Sequence, residues 1–197
     1  MTDTNRFWQL IDATNPQKDR ANWREDNSEA HIENLTQALR GKDKGELIAF
    51  ETWLQETLAA IHSGASVVLY IILNNDYHTE NGQYRFDDYL SADGYLYFRC
   101  WLILKGKAFC DDIRHDLNRF NSGKYSFDLA EPWAEGLLYV SDDAHGDEDD
   151  SIRDAVYDAR PEIHYDNGLP DIPDWPDAND LVAKYPELVQ SIVALRQ

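Results

Sequence analysis

Two groups of residues in this chain have types and spacings that could do chemistry. The first is a run of carboxylates, Asp142, Asp143, Asp147, Glu148, Asp149 and Asp150. Such a run suits a cation or a positively charged partner. Ca²⁺ takes six to eight oxygens, usually from alternate positions around a tight turn. The run contains Gly146 but lacks the alternating acidic order and the closing bidentate Glu, so no metal is assigned to it. A solvated loop and a surface for a basic protein both fit. The second group is Ser91, Asp93 and Arg99, which would make a small polar site at a helix N-terminus, able to hold an anion. Asp93 and Arg99 are not i,i+4 neighbours and would not pair along one helix. The plainer reading makes Ser91 an N-cap and Arg99 a buried tie between loops.

Other chemistry is hard to find. His31, His62, His78, His115, His145 and His164 are scattered and form no His-x-x-x-His or His-Glu-x-x-His pair. There is no Gly-x-Ser-x-Gly and no phosphate-binding or dinucleotide-binding glycine loop. The two cysteines, Cys100 and Cys110, lie ten residues apart on helical sequence and read as small buried hydrophobes. No cofactor is expected, and catalysis has no motif to support it.

Charge is the strongest global signal. Between Asp128 and Asp180 stand 17 acidic residues and only two basic ones, Arg153 and Arg160, a net −15 out of −19 for the chain. No Lys/Arg stripe is present, which argues against nucleic acid and anionic membrane as partners. Charge this concentrated either repels itself or meets something positive. Trp23, Trp133, Tyr165 and Trp175 lie in or beside the acidic and polar segments. Aromatics among acids suit Arg- and Lys-rich partners, although they equally anchor long loops on a core. The start, Met1 to Arg6, has no signal pattern, and the longest apolar run, Ala65 to Leu73, is too short to span a bilayer. A cytoplasmic location is expected.

The positioning elements are mostly helical. Phe7, Trp8, Leu10 and Ile11 lie on a first short helix that ends by Asn15-Pro16. Ile32, Leu35 and Leu39 mark a second, capped by Asn27 or Ser28 and stopped by Gly41. Leu47, Phe50, Leu54, Leu58 and Ile61 recur at steps of three and four, one face of a third helix whose other face holds Glu46, Glu51, Gln55 and Glu56. Ala65 to Leu73 is apolar all round. A buried strand would satisfy its pattern, but a central buried helix is favoured because a lone strand leaves backbone groups unpaired. Asn81-Gly82 signals a small hairpin near residues 76–89. Further helices come after Ser91, over Phe109 to Leu117, after Pro132 as far as Gly146, and through Ile152 and Val156. Residues 161–177 read as an acidic extended segment. Pro186 splits Leu181 to Leu195 into two pieces. The expectation is an all-α single-domain bundle of about seven to ten helices. Residues 1–160 form its helical body, and the 161–197 wrap and short helices pack on the same domain.

The stretch Ser91-Ala92-Asp93-Gly94-Tyr95-Leu96-Tyr97-Phe98-Arg99-Cys100-Trp101-Leu102, together with Phe7-Trp8-Gln9-Leu10-Ile11, resembles a bacterial family of unknown function. That family opens with Phe-Trp-x-Leu-Ile and carries a central Ser-Asp-Asp-x-Phe-x-x-Phe-Arg-x-Trp-Leu. The likeness covers about residues 6–145, and its most specific part is Phe98-Arg99-x-Trp101-Leu102. Ala92 stands where the family has its first Asp. The resemblance implies a helical fold and a bacterial cytosolic protein, and it implies no activity.

The residues together point to a non-enzymatic, acidic protein-binding module. It would sequester a basic protein, most concretely as a bacterial toxin immunity protein. Asp142, Asp143, Asp147, Glu148, Asp149, Asp150 and Trp175 would form its binding face. The alternative is an enzyme or small-ligand sensor with a site around Ser91, Asp93 and Arg99.

Overall fold

The computed structural model describes residues 3–16, 27–74, 77–81, 83–86, 91–121, 132–146, 150–168 and 177–196. Among them are ten α-helices: α1 (Asp3–Thr14), α2 (Ser28–Leu39), α3 (Lys44–Ala60), α4 (Gly64–Asn74), α5 (Ala92–Leu104), α6 (Lys107–His115), α7 (Val140–His145), α8 (Ser151–Ala159), α9 (Ala178–Lys184) and α10 (Pro186–Arg196). Two 3₁₀ turns, Leu117–Asn121 and Glu135–Tyr139, lead into later segments. One antiparallel hairpin pairs β1 (Tyr77–Glu80) with β2 (Gln83–Phe86), Tyr77 opposite Phe86 and Glu80 opposite Gln83. Asn81 takes the left-handed conformation (φ 53°) in its two-residue turn, as Asn-Gly connections favour. The fold is all-α with this one small exception.

The core is built on α3 and α5. Leu47, Phe50, Leu54 and Leu58 of α3 are buried together with Tyr95, Phe98, Trp101 and Leu102 of α5. Helix α3 packs against α1, α5, α7 and α8. Helix α4 is buried along most of its length, which explains why its sequence shows no polar face. Pro186 opens α10, where its missing N–H costs nothing. That helix packs on α4 and on the 117–121 turn.

Local signals set the helix ends. The Asp43 side chain accepts from the backbone N–H of Glu46 (2.9 Å) and caps α3. Ser91 Oγ accepts from Gly94 N–H (2.9 Å) and caps α5. Gly106 (φ 90°) turns the chain from α5 into α6, and Gly146 (φ 84°) ends α7. His31 on α2 donates from Nε2 to the Ile11 carbonyl (2.8 Å), tying α2 to α1. Burial lowers its pKa to about 4, so the ring is neutral at ordinary pH.

One expectation about α3 is overturned. The pattern assigns Glu51 and Gln55 to its polar outer face, yet the two residues are only 2% and 3% exposed. The cause is packing: α7 and α8 cover that face. Glu51 accepts from Gln55 Nε2 (2.8 Å) and from Ser141 Oγ on α7 (2.9 Å). Burial pushes its pKa up to about 7, against the opposing pull of these two hydrogen bonds.

This packing has two measurable consequences. A Cβ on Gly94 would stand 2.4 Å from Tyr70 Oη and 2.9 Å from Ser91 Oγ. Gly94→Ala should therefore destabilise by about 1–3 kcal/mol in chemical denaturation, despite the better helix propensity of Ala. Tyr70→Phe in the same chain should recover part of the loss. The raised pKa of Glu51 means its contribution to stability is complete below about pH 4.5 and is lost as pH rises towards 7. Glu51→Gln should therefore gain on the wild type across that window, by up to about 3 kcal/mol, and hold a constant advantage above it. Melting temperatures of both chains between about pH 4 and 8 read this, and a difference independent of pH would contradict it.

Candidate functional site

The described members of the acidic run, Asp142, Asp143 and Asp150, do not share one face. Asp142 is 4% exposed and points inward. Its carboxylate accepts from the Ile152 backbone N–H (2.8 Å) and from Arg153 Nε (2.9 Å). It therefore caps α8 from α7 and is not presented to a partner. Arg153 also pairs with the exposed Asp150, and its guanidinium lies 4.8 Å from the Tyr139 ring centroid. Asp143, one residue on and about 100° around the helix, is exposed. Asp147, Glu148, Asp149 and Trp175 lie outside the described residues.

Asp143 lines a cleft of about 610 Å³ between α2 and the segment leading into the 135–139 turn. One wall is the outer face of α2, with Glu29, Ile32, Glu33, Thr36, Gln37 and Arg40. The other holds Trp133, Ala134, Glu135 and Gly136. Trp133 is 44% exposed. Its ring rests on Tyr97 (centroids 4.6 Å apart), and Ala134 N–H donates to the Tyr97 carbonyl (3.2 Å). Gly136 permits a close approach, since a Cβ there would stand 3.3 Å from Ile32 Cδ1. The cleft therefore has four carboxylates, Glu29, Glu33, Glu135 and Asp143, against one cation, Arg40. No ion pair engages any of the four among the described residues. The local potential is felt by Tyr97: burial, then the hydrogen bond and charge of Glu135, then the charge of Asp93, raise its hydroxyl pKa to about 12.

The second predicted group is dispersed. Ser91 is used as the cap of α5. Asp93 is exposed, and its charge reaches Tyr97 on the cleft side. Arg99 is 0% exposed. Its Nη1 donates to the Leu58 carbonyl (3.0 Å), and its guanidinium lies 4.7 Å from the Tyr95 centroid. Six residues along a helix put Asp93 and Arg99 about 120° apart, which is why they do not meet.

A larger cleft, about 680 Å³, runs between α1 and the neighbouring ends of α2 and α3. Its lining is mainly apolar, including Phe7, Leu10, Phe50 and Trp53. Its cations Arg6 and Lys42 both pair with Glu46 (3.3 and 3.6 Å). Size alone favours it, but its charges are already balanced, whereas the α2 cleft holds charge uncompensated among the described residues, beside an exposed indole. The α2 cleft is therefore the better candidate.

Glu29, Glu33 and Glu135 are parts of the site that the sequence does not single out. Glu29 and Glu33 form an i,i+4 acidic pair opposite Leu35 and Leu39, a signal visible in the chain. On the opposing wall, about a hundred residues later, the sequence singles out Trp133 among the aromatics beside acidic segments, but gives no sign that it faces α2. Cys100 and Cys110 are free and buried, and burial raises both thiols, Cys110 to about 12. Among the described residues no three His, Cys, Asp or Glu side chains converge to hold a metal. No single described helix is long and apolar enough to cross a membrane.

Comparison with curated proteins and with solved structures gives no match. A family model does match, over residues 1–147, which takes in α1 to α7, the Arg99 helix and both walls of the acidic cleft. The chain belongs to the family described as protein of unknown function (DUF4240).

Proposed function

We propose that this protein is a non-enzymatic binding module that takes a cationic segment of a basic protein into the α2 cleft. In its most concrete form it is a cytoplasmic neutraliser of a bacterial toxin. The observation that carries the reading is the cleft itself: four carboxylates with a single cation among them, beside the exposed Trp133 ring. A Lys or Arg entering it meets uncompensated negative charge and the face of an indole, and both favour a cation. The chain's −19 charge would also steer a basic partner in at low ionic strength.

A second reading, an enzyme or small-ligand sensor around Ser91, Asp93 and Arg99, keeps one observation in its favour. Arg99 is buried with unused hydrogen-bond donors, although Ser91 serves as a cap and Asp93 lies away from it in solvent.

The binding reading is tested by retrieving the partner from the native host on immobilised protein, eluting with salt and identifying it. Affinity is then measured for the wild type and for a Glu29→Gln, Glu33→Gln, Asp143→Asn variant. The expected result is one basic protein at stoichiometric amount, bound at least about tenfold less tightly by the variant and with a shallower salt dependence. Equal affinity in a variant of unchanged melting temperature, or no basic partner at all, would overturn the proposal.

A further inference from the structure

Among the described residues, one edge of the Arg99 guanidinium has nothing to bind. Its Nη1 is satisfied by the Leu58 carbonyl at the C-terminal end of α3, but Nε and Nη2 are buried with no acceptor among those residues. Those two nitrogens carry the parallel N–H bonds that form a bidentate fork with a carboxylate or a phosphate. Burying such an edge unpaired is costly, and no described carboxylate lies at ion-pair distance from it. The carboxylate whose charge reaches Arg99 is Asp166, which makes no hydrogen bond with it.

A second orphan lies beside the first. His62, in the turn after α3, has a buried Nε2 without a partner. Its ring stands 5.6 Å from that of Tyr95, the same ring that underlies Arg99. Tyr95 Oη is fixed by Ser66 Oγ at 2.8 Å. Three elements thus hold the group rigidly: the end of α3, the start of α4 and the second turn of α5. Burial, and after it the charge of Arg99, disfavours protonation of His62.

We propose that Arg99, His62 and Tyr95 form a binding site for a small oxyanion, a carboxylate or a phosphate, gripped by the Nε–Nη2 edge of Arg99. Residues 161–168 form its cover. They have no helix or strand, and Asp166, Asn167 and Gly168 are exposed. Gly168 lies against Ala92, so that a Cβ there would be 3.8 Å from the Ala92 methyl. An anion would enter where the segment holding Asp166 lifts. This cover lies beyond residues 1–147 matched by the family model, whereas Arg99, His62 and Tyr95 lie within it. The site is independent of the acidic cleft, and neither reading needs the other.

The test uses the full chain with two probes, inorganic phosphate and succinate, each against sodium chloride at matched ionic strength. Thermal melts are paired with the NMR signal of the Arg99 Nε–H group. A saturable rise of several degrees in melting temperature is expected with at least one probe at roughly a hundred times its Kd. The Nε–H resonance should shift in step with it. Phosphate alone would identify a phosphate site, succinate alone a carboxylate site, and both a general oxyanion site. Arg99→Lys keeps a charge but loses the fork and should abolish the response, while the Asp143→Asn change should leave it intact. If neither probe raises the melting temperature above the chloride control and the Nε–H signal of the wild type stays in place, the proposal is overturned, whether or not Arg99→Lys folds.

Discussion

Glu51 sits in the middle of α3 with no access to water, and a carboxylate so placed must be hydrogen-bonded or protonated. Its two acceptor oxygens take up Gln55 from its own helix and Ser141 from α7. That second bond anchors α7 to the core, and the rest of α7 is placed accordingly. The next residue, Asp142, reaches the first turn of α8 and Arg153. The residue after that, Asp143, turns outward into the cleft facing α2. Three successive residues thus join the core, cap a helix and line the candidate site. Moving α7 would disturb all three at once.

The excess of negative charge is managed by the same few groups. The acidic stretch from Asp128 to Asp180 contains only two cations, and the structure uses both. Arg153 binds Asp142 and Asp150. Arg160 reaches Glu56 on α3 (3.1 Å) and Glu162 beside it. The Arg160 pairs are exposed and weak as sources of stability, but they tie the acidic stretch back to the central helix. The carboxylates of the α2 cleft receive no such partner among the described residues. Charge left unbalanced in a concave surface is harder to explain by folding than charge on a convex one, since focusing raises its potential.

Much of the fold is readable in the chain itself. The three-and-four spacing of Leu47, Phe50, Leu54 and Leu58 marks α3, Pro186 separates α9 from α10, and Asn81-Gly82 locates the hairpin turn. Ala65 to Leu73 reads as a buried helix because backbone pairing rules against a lone strand, and α4 is that helix. The failures share a cause. Periodicity reports which face of a helix is apolar and says nothing about whether another helix covers the polar face, so it misplaces Glu51 and Gln55 in solvent. A run of like charges gives no sign that Asp142 points inward and Asp143 outward. Ser91, Asp93 and Arg99 look like one group because they are close in sequence, while the helix spreads them around its axis. The cleft needs a pairing of α2 with residues 132–136 that only tertiary structure supplies.

The claim most exposed to test is that the α2 cleft is where a basic partner binds. Amide hydrogen exchange on the chain alone and in complex with the basic partner recovered from the host reads this directly. The account predicts that protection rises in α2, across residues 132–136 and at Asp143, and stays unchanged in α9 and α10. Protection confined to α9 and α10, or to the groove between α1 and α3, would contradict it.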